Sequence, residues 1–545
     1  MIDDLRSLPS GTRIKADVCV IGAGIAGISL ARELAQFGLQ VCLVEGGGLD
    51  YEADSQALYD GQSVGETVSL LGGRLRYFGG SGNHWGGRCA TLDPIDLRRR
   101  AWVPMSGWPM QRSDLQPYYD RAAVVAGFAA PWQSDTQTIA ELGARLPGVD
   151  SAVLQPFLWR YAAAAPGGNA IFNWADAYQR ELRAARDVRV LVHANFQGFT
   201  TRAGERGRVD SLTVASLSGS TASIVAGSYV VSCGGIENAR LLLLAAERGG
   251  GGFGSDHDVL GRYFAQHSMA IPATIYSSSD RMAVLQEQYN ILKLPDRREV
   301  EIGLALSAAA QEEHQVLNCS AYLEYLGDPA SGLALAQEVW RSLLQGRWPD
   351  DMGDKAAGIA ADLPEVLGGL RRRLAAGHTL SREGAKGIPS RSAQVRLWIE
   401  QAPDPRSRIA LASERDRLGL RRVKVDWRFS ELERTTAATM ARLIGTEFAR
   451  LDIGRCKFEP WVLGNAIALS EALTESFHYT GATRMSEDPA VGVVDADCRV
   501  HGMRNLYVAG SSVFSTAGQV SPTFTIVALA LRLADRLRDA HARQL

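Results

Sequence analysis

Asp17-Val18-Cys19-Val20-Ile21-Gly22-Ala23-Gly24-Ile25-Ala26-Gly27 is the stretch that decides the fold. Its first five residues are an apolar run, the pattern of a short strand buried in a parallel sheet. The next six are a Gly-x-Gly-x-x-Gly turn, whose glycines allow a tight backbone path and a close main-chain approach to a ligand. Ile28 to Phe37 has helical character, Gly38 suits a helix C-cap, and Leu39 to Val44 reads as a second strand ending at Glu45. Strand, turn, helix and strand form one βαβ unit. Glu45 stands 18 residues after Gly27 (45 − 27), close to the spacing of about 20 at which an acid meets ribose hydroxyls. Gly22, Gly24 and Gly27, with a helix N-terminus behind them, therefore predict a pyrophosphate grip. An acid at position 45 disfavours a 2′-phosphate, so FAD or NAD is expected rather than NADP.

A chain of 545 residues exceeds one ordinary core. Hydrophobic residues at 46% and charged residues at 22% are the proportions of a globular protein. A formal net charge of −2 gives no bulk argument for nucleic acid or an anionic membrane. The 7 cysteines include no CxxC pair and are odd in number, which argues against a disulfide framework or a zinc site and fits a reducing cytoplasm. Met1 to Lys15 has no apolar stretch of signal-peptide type, and no window of 18 apolar residues predicts a membrane span.

Downstream of Glu45, residues 46–71 read as a polar connection. A Gly-rich arch follows: Gly79-Gly80-Ser81-Gly82-Asn83-His84-Trp85-Gly86-Gly87. A His-Trp pair among glycines is a ligand-contacting pattern, because glycine lets backbone approach and histidine titrates near neutral pH. Pro117 is expected near a helix start and Trp174 to Ala185 as a helix. Val188 to Val192, Ser211 to Ser216 and Ser223 to Ser232 read as strands. Tyr229 to Ser232 feeds Cys233-Gly234-Gly235-Ile236-Glu237-Asn238 and a helix over 241–246, so the nucleotide fold resumes late and is discontinuous. Alternation at Glu301 to Leu306 and Ala393 to Ile399 predicts antiparallel sheet. Between them, residues 330–390 read as a helical insert whose Arg371-Arg372-Arg373 faces solvent, and 431–451 reads as a helix.

In the tail, Phe477-His478-Tyr479-Thr480-Gly481 precedes Asn505-Leu506-Tyr507-Val508-Ala509-Gly510, and Ser521-Pro522-Thr523 opens an apolar helix to about Arg538. Ser before Pro is a natural cap pair for such a helix. Asp495 and Asp497, with no further ligand cluster, do not make a metal site, and no metal is expected. His267 and His501 read as structural.

Together these motifs resemble the glucose–methanol–choline (GMC) oxidoreductases, in form closest to pyranose oxidases and bacterial sugar or polyol dehydrogenases. The βαβ unit with Glu45, the arch, Gly234 to Asn238, Gly261-Arg262-Tyr263-Phe264 and the tail match in order, while about 280–460 diverges. The resemblance implies FAD and hydride transfer from a CH–OH group of a sugar-like or other alcohol to flavin N5, with oxygen or another acceptor. It implies an α/β Rossmann-like FAD-binding domain over 1–100, 190–267 and 465–545. An α+β substrate domain with an antiparallel sheet would fill 101–189 and 268–464. His478 falls on the active-site histidine, in the role of base. The second catalytic position, usually His or Asn, is Ser521 here, leaving His478 to act with Ser521, with Gln519 or alone, or Ser521 to cap its helix. This departure keeps a non-redox lyase or isomerase, or a catalytically silent subunit, as alternatives. His84 falls where some relatives bond the flavin 8α-methyl; otherwise it packs with Trp85 on the ring. Gly80, Ser81, Asn83, Gly234, Gly510, Pro522 and Thr523 are the remaining expected cofactor contacts.

Overall fold

The protein was analysed as a computed structural model. It describes residues 1–128, 131–142, 148–162, 172–201, 207–293, 299–327, 351–363, 390–464 and 468–543, with single or paired residues between 332 and 349 and at 366–367. The opening apolar run becomes the inner part of strand Thr12–Ile21. It pairs in parallel with Val41–Val44 on one side and Thr221–Val231 on the other, so that Val20 faces both Leu43 and Val230. All four residues of Val41–Val44 are buried, as a strand covered on both faces requires. Outward, the sheet continues through Val188–Val192 to Ile2–Asp4 on one side and antiparallel through Val209–Ala215 to Asn195–Thr201 on the other. Leu506–Val508 joins in parallel beside Thr221–Val231, so the C-terminal segment returns to the sheet that opened the chain.

Helix Ile25–Gln36 packs against Thr523–Ala542, and Arg112–Val125 packs on the outside of the latter. The last helix runs four residues beyond the expected end at Arg538 (542 − 538), although its buried stripe ends at Leu537. Helix Arg112–Val125 begins five residues before Pro117 (117 − 112), through reciprocal bonds between Gln111 and Asp114, leaving the proline inside it. That corrects the expected start.

A nine-stranded sheet stands beside the first. Strands Arg455–Phe458, Ser268–Tyr276, Ser390–Ile399, Cys319–Gly327, Glu299–Leu306, Leu154–Tyr161 and Arg88–Cys89 follow one another antiparallel. Helix Glu431–Arg450 covers it, burying Ala437, Met440, Ile444 and Phe448. The 46–71 segment is more than a connection: Ala53–Gln56 is a helical turn, and Gly61–Gly65 pairs in parallel with Arg421–Trp427. Its polar sequence hid a strand because that strand is partly exposed at a sheet edge. In the expected insert, Met352–Ala361 is helical, while Arg371, Arg372 and Arg373 lie outside the described residues. No helix among the described residues is long and apolar enough to cross a membrane.

Candidate active site

The Gly22–Ala26 turn and the antiparallel sheet share one cavity of about 600 Å³. At the turn, Gly22 has φ +105° and a Cβ there would come within 2.7 Å of the Ser232 carbonyl, so only glycine fits. A Cβ on Gly24 would meet nothing within 4 Å, leaving the backbone bare to the cavity. Helix Ile25–Gln36 starts there with no side-chain cap, so its first N–H groups stay available to an anion. Glu45 also lines the cavity; its carboxylate accepts the Ala23 N–H at 3.0 Å and the Gly47 N–H at 2.9 Å. Gly234 lies on the wall, and a Cβ there would likewise meet nothing within 4 Å.

The arch forms a 3-10 turn over Gly80–Asn83. Gly80, Ser81, His84 and Trp85 line the cavity. Trp85 is fixed by an indole bond to the Phe172 carbonyl at 2.6 Å. Partial desolvation lowers the pKa of His84, which favours the neutral imidazole. Gly27 and Asn83 do not line the space. A Cβ on Gly27 would approach the Gly22 oxygen to 1.9 Å, so this glycine lets the helix pack under the turn. Asn83 donates to the Phe78 carbonyl at 2.8 Å and accepts from Ala175 N–H at 3.0 Å, which pins the arch to helix Trp174–Ala184.

His478, Gly510, Ser521, Pro522 and Thr523 also line the cavity. The capping expectation for Ser521 is corrected: Pro522 occupies the cap position, and no side chain bonds the first N–H groups of Thr523–Ala542. The first main-chain bond of this helix runs from the Ile526 N–H to the Pro522 carbonyl at 2.9 Å, which places the boundary one residue later than a serine cap requires, while the proline itself has helical angles (φ −72°, ψ −18°). The uncapped helix start thus offers positive dipole to the cavity, as the first helix does at the turn.

His478 is partly buried, and its pKa is pushed well below 6.5 by desolvation first, then by His267 and Arg88. Its ring lies 4.8 Å from that of Trp398. Its Nδ1 is 3.0 Å from Nδ1 of His267. Trp398 and Arg88 complete the wall. Arg88 bonds Glu301 at 2.8 Å and the Tyr161 hydroxyl at 3.1 Å, and its guanidinium lies 4.8 Å from the centre of the Tyr322 ring.

Sequence reasoning missed Arg76, Arg88 and Trp398, which all line the cavity, and the place of His267. Arg76 and Arg88 flank the arch, a weak signal in itself. Trp398 carried a better one: it breaks the buried alternation of Ala393, Val395 and Leu397 with an aromatic on the opposite face. His501 bonds the Ser486 carbonyl at 2.9 Å, consistent with a structural role. Asp495 and Asp497 pair with Arg499 and Arg532, and no metal-binding cluster occurs among the described residues.

The bare turn, two uncapped helix starts and the arch fit an elongated anionic dinucleotide. The comparisons agree. A family model described as "FAD dependent oxidoreductase" matches residues 17–258, and one described as "GMC oxidoreductase" matches 403–530. The fructose dehydrogenase large subunit of Gluconobacter japonicus is 22% identical, covering 97% of this chain and 98% of its own length. The 6'''-hydroxyparomomycin C oxidase of Streptomyces lividus is 27% identical, covering 95% and 90%. The crystal structure of pyridoxine 4-oxidase from Mesorbium loti shares the fold at a TM-score of 0.56 and 16% identity, covering 95% and 98%. With both ends of the chain matched and the nucleotide cradle in place, the chain belongs to the glucose–methanol–choline family of FAD-dependent oxidoreductases, which act on CH–OH donors.

Proposed function

We propose that the protein oxidises a hydroxyl-bearing carbon of a sugar-like or polyol substrate, with His478 as the base. The observation that carries this reading is a partly buried imidazole, held neutral, beside Trp398 and Arg88 in the cavity that the nucleotide turn also lines. Bound FAD supplies a hydride acceptor. His478 takes the hydroxyl proton, which a neutral imidazole within hydrogen-bond reach does efficiently. The flat face of Trp398 suits the C–H face of a sugar ring, and Arg88 offers donors to its hydroxyls. The names of the two curated relatives, a fructose dehydrogenase and an oxidase of a hydroxylated paromomycin, support the substrate class. They also favour redox chemistry over a lyase, isomerase or silent subunit. Ser521, with its hydroxyl free of capping duty, is read as a substrate contact beside His478.

For the cofactor, Gly22, Gly24 and the first helix start would hold the pyrophosphate, Glu45 the ribose, and Gly234 and Gly510 the adjoining walls. Pro522 and Thr523 would place the last helix start against the ring. A two-domain division is supported by the strands: those of the parallel sheet fall within 1–100, 188–231 and 506–508. Seven free cysteines support a reducing, cytoplasmic setting.

Anaerobic mixing with a panel of sugars, glycosides and simple alcohols tests the substrate class. The oxidised flavin band should bleach with a sugar or polyol, and bleaching by simple alcohols alone would reject the reading. Admitting air then separates oxidase from dehydrogenase by the speed of recovery.

His84 is read as a tether to the flavin. Its exposed ring faces the cavity in the neutral form that a nucleophile requires. Acid precipitation should give a yellow pellet, and His84→Ala a colourless one with FAD in the supernatant. A colourless wild-type pellet excludes the bond.

A further inference from the structure

His267, read from sequence as structural, is fully buried against the proposed base. The two rings meet edge to face, with centroids 5.1 Å apart and planes at 88°. The other ring nitrogen of His267, Nε2, lies 2.9 Å from the Gly518 carbonyl and 3.4 Å from that of Ala517. A carbonyl only accepts, so Nε2 must carry the proton. Burial pushes the His267 pKa down to about 4, so at neutral pH the ring holds that one proton and no second. Its Nδ1 is then a lone pair, and the Nδ1 of His478 facing it at 3.0 Å must be the N–H.

We infer that His267 is a positioning residue that fixes the tautomer of His478, leaving the Nε2 lone pair of His478 as the proton acceptor. The inference rests on His478 being the base. In the reaction the substrate O–H bond breaks and its proton forms the N–H bond at His478 Nε2. The resulting imidazolium keeps its Nδ1–H donated to His267. The proton stops there, because His267 resists a second proton. The chain is therefore an orienting device and not a relay.

The backbone that sets this chain is itself fixed. Gly518 has φ +60°, and a Cβ there would come within 2.6 Å of Leu92 and 2.7 Å of the Asp96 carboxylate. The same loop leads directly into Ser521, Pro522 and the helix start at the cavity. The carbonyl that assigns the His267 proton is thus tied to the segment that lines the cofactor side of the site.

Two measurements on the FAD-loaded protein test this. In ¹⁵N-histidine NMR of the wild type, His478, assigned by its loss in His478→Gln, should show a protonated Nδ1 and an unprotonated Nε2; the reverse pattern overturns the inference. His267→Phe, which removes the acceptor and keeps an aromatic ring, should slow the limiting rate of flavin reduction about 10- to 100-fold with little change in substrate KM. His267→Asn, whose amide oxygen can accept from Nδ1–H, should recover most of that loss. An FAD-loaded His267→Phe enzyme at wild-type rate, or an Asn variant no better than Phe, overturns it. Should the Phe variant fail to fold, the wild-type spectrum still decides. If His478→Ala abolishes reduction while His267→Phe does not, this inference alone fails. If His478→Ala reduces normally, the reading beneath it fails.

Discussion

Replacing His478 by alanine should leave FAD bound and slow substrate-driven flavin reduction by about 10²–10⁴-fold, the usual contribution of a positioned acid or base. FAD should stay because the nucleotide grip is built elsewhere, from the Gly22–Ala26 turn, Glu45 and the arch. The loss should appear in the rate of reduction more than in substrate KM, because the proton moves as the C–H bond breaks and not on binding. The pH profile adds a second check. Burial holds the wild-type imidazole neutral to a pH well below its ordinary value of 6.5. The active form is the neutral one, so the rate should stay level as pH falls through 6.5 and decline only at lower pH. Stopped-flow reduction across that range measures it. An inflection centred at 6.5 would mean the base is a solvated histidine and not this one. Near-normal reduction by the alanine variant would remove His478 from the chemistry altogether.

Much of this architecture was legible because local pattern and tertiary role coincide in it. Val18 to Ile21 and Val41 to Val44 are apolar because both faces of a parallel strand are covered, and Gly22 and Gly27 of the intervening turn must be glycine because the backbone path leaves no room for a Cβ there. His478 and the arch were legible through family resemblance, not through periodicity. What was hidden depends on distant pieces meeting. His267 becomes informative only when strand Ser268–Tyr276, which it precedes, is set beside His478, 211 residues away (478 − 267). Arg88 and Glu301 pair across the antiparallel sheet, and neither position is unusual alone. Ser521 misled for a local reason: Ser-Pro is a common cap pair, yet here Pro522 takes the cap position and no side chain bonds the first N–H groups.

Arg100→Met should cost about 3–5 kcal/mol of stability, the penalty for stripping one partner from a buried ion pair. The Arg100 and Glu400 side chains are 1% and 0% exposed and meet through two bonds of 2.7 and 2.5 Å. Glu400 also accepts the Asn318 N–H at 3.1 Å, and the Asn318 amide bonds Asp96 at 2.8 Å and Asp93 at 3.1 Å. Methionine fills the volume but leaves these acids without their cation. Asp96 is already raised well above its ordinary value, by burial first and then by Asp93 and Glu400, with Arg100 opposing. Removing Arg100 raises it further. A carboxyl whose folded pKa exceeds its unfolded one weakens folding as pH climbs above the unfolded value, so the variant's deficit should be largest near neutrality and shrink toward about pH 4. Arg100→Met combined with Glu400→Leu should recover much of the loss, since an apolar pair of similar volume carries no stranded charge. The fold also ties this pair to the site: Glu400 directly follows the strand that carries Trp398, while Arg100 lies downstream of the arch. Denaturant melts at neutral and acidic pH, read beside FAD content, measure both effects. A single variant as stable as wild type at neutral pH, or a deficit that grows on acidification, would show that the pair does not hold the acid cluster in place.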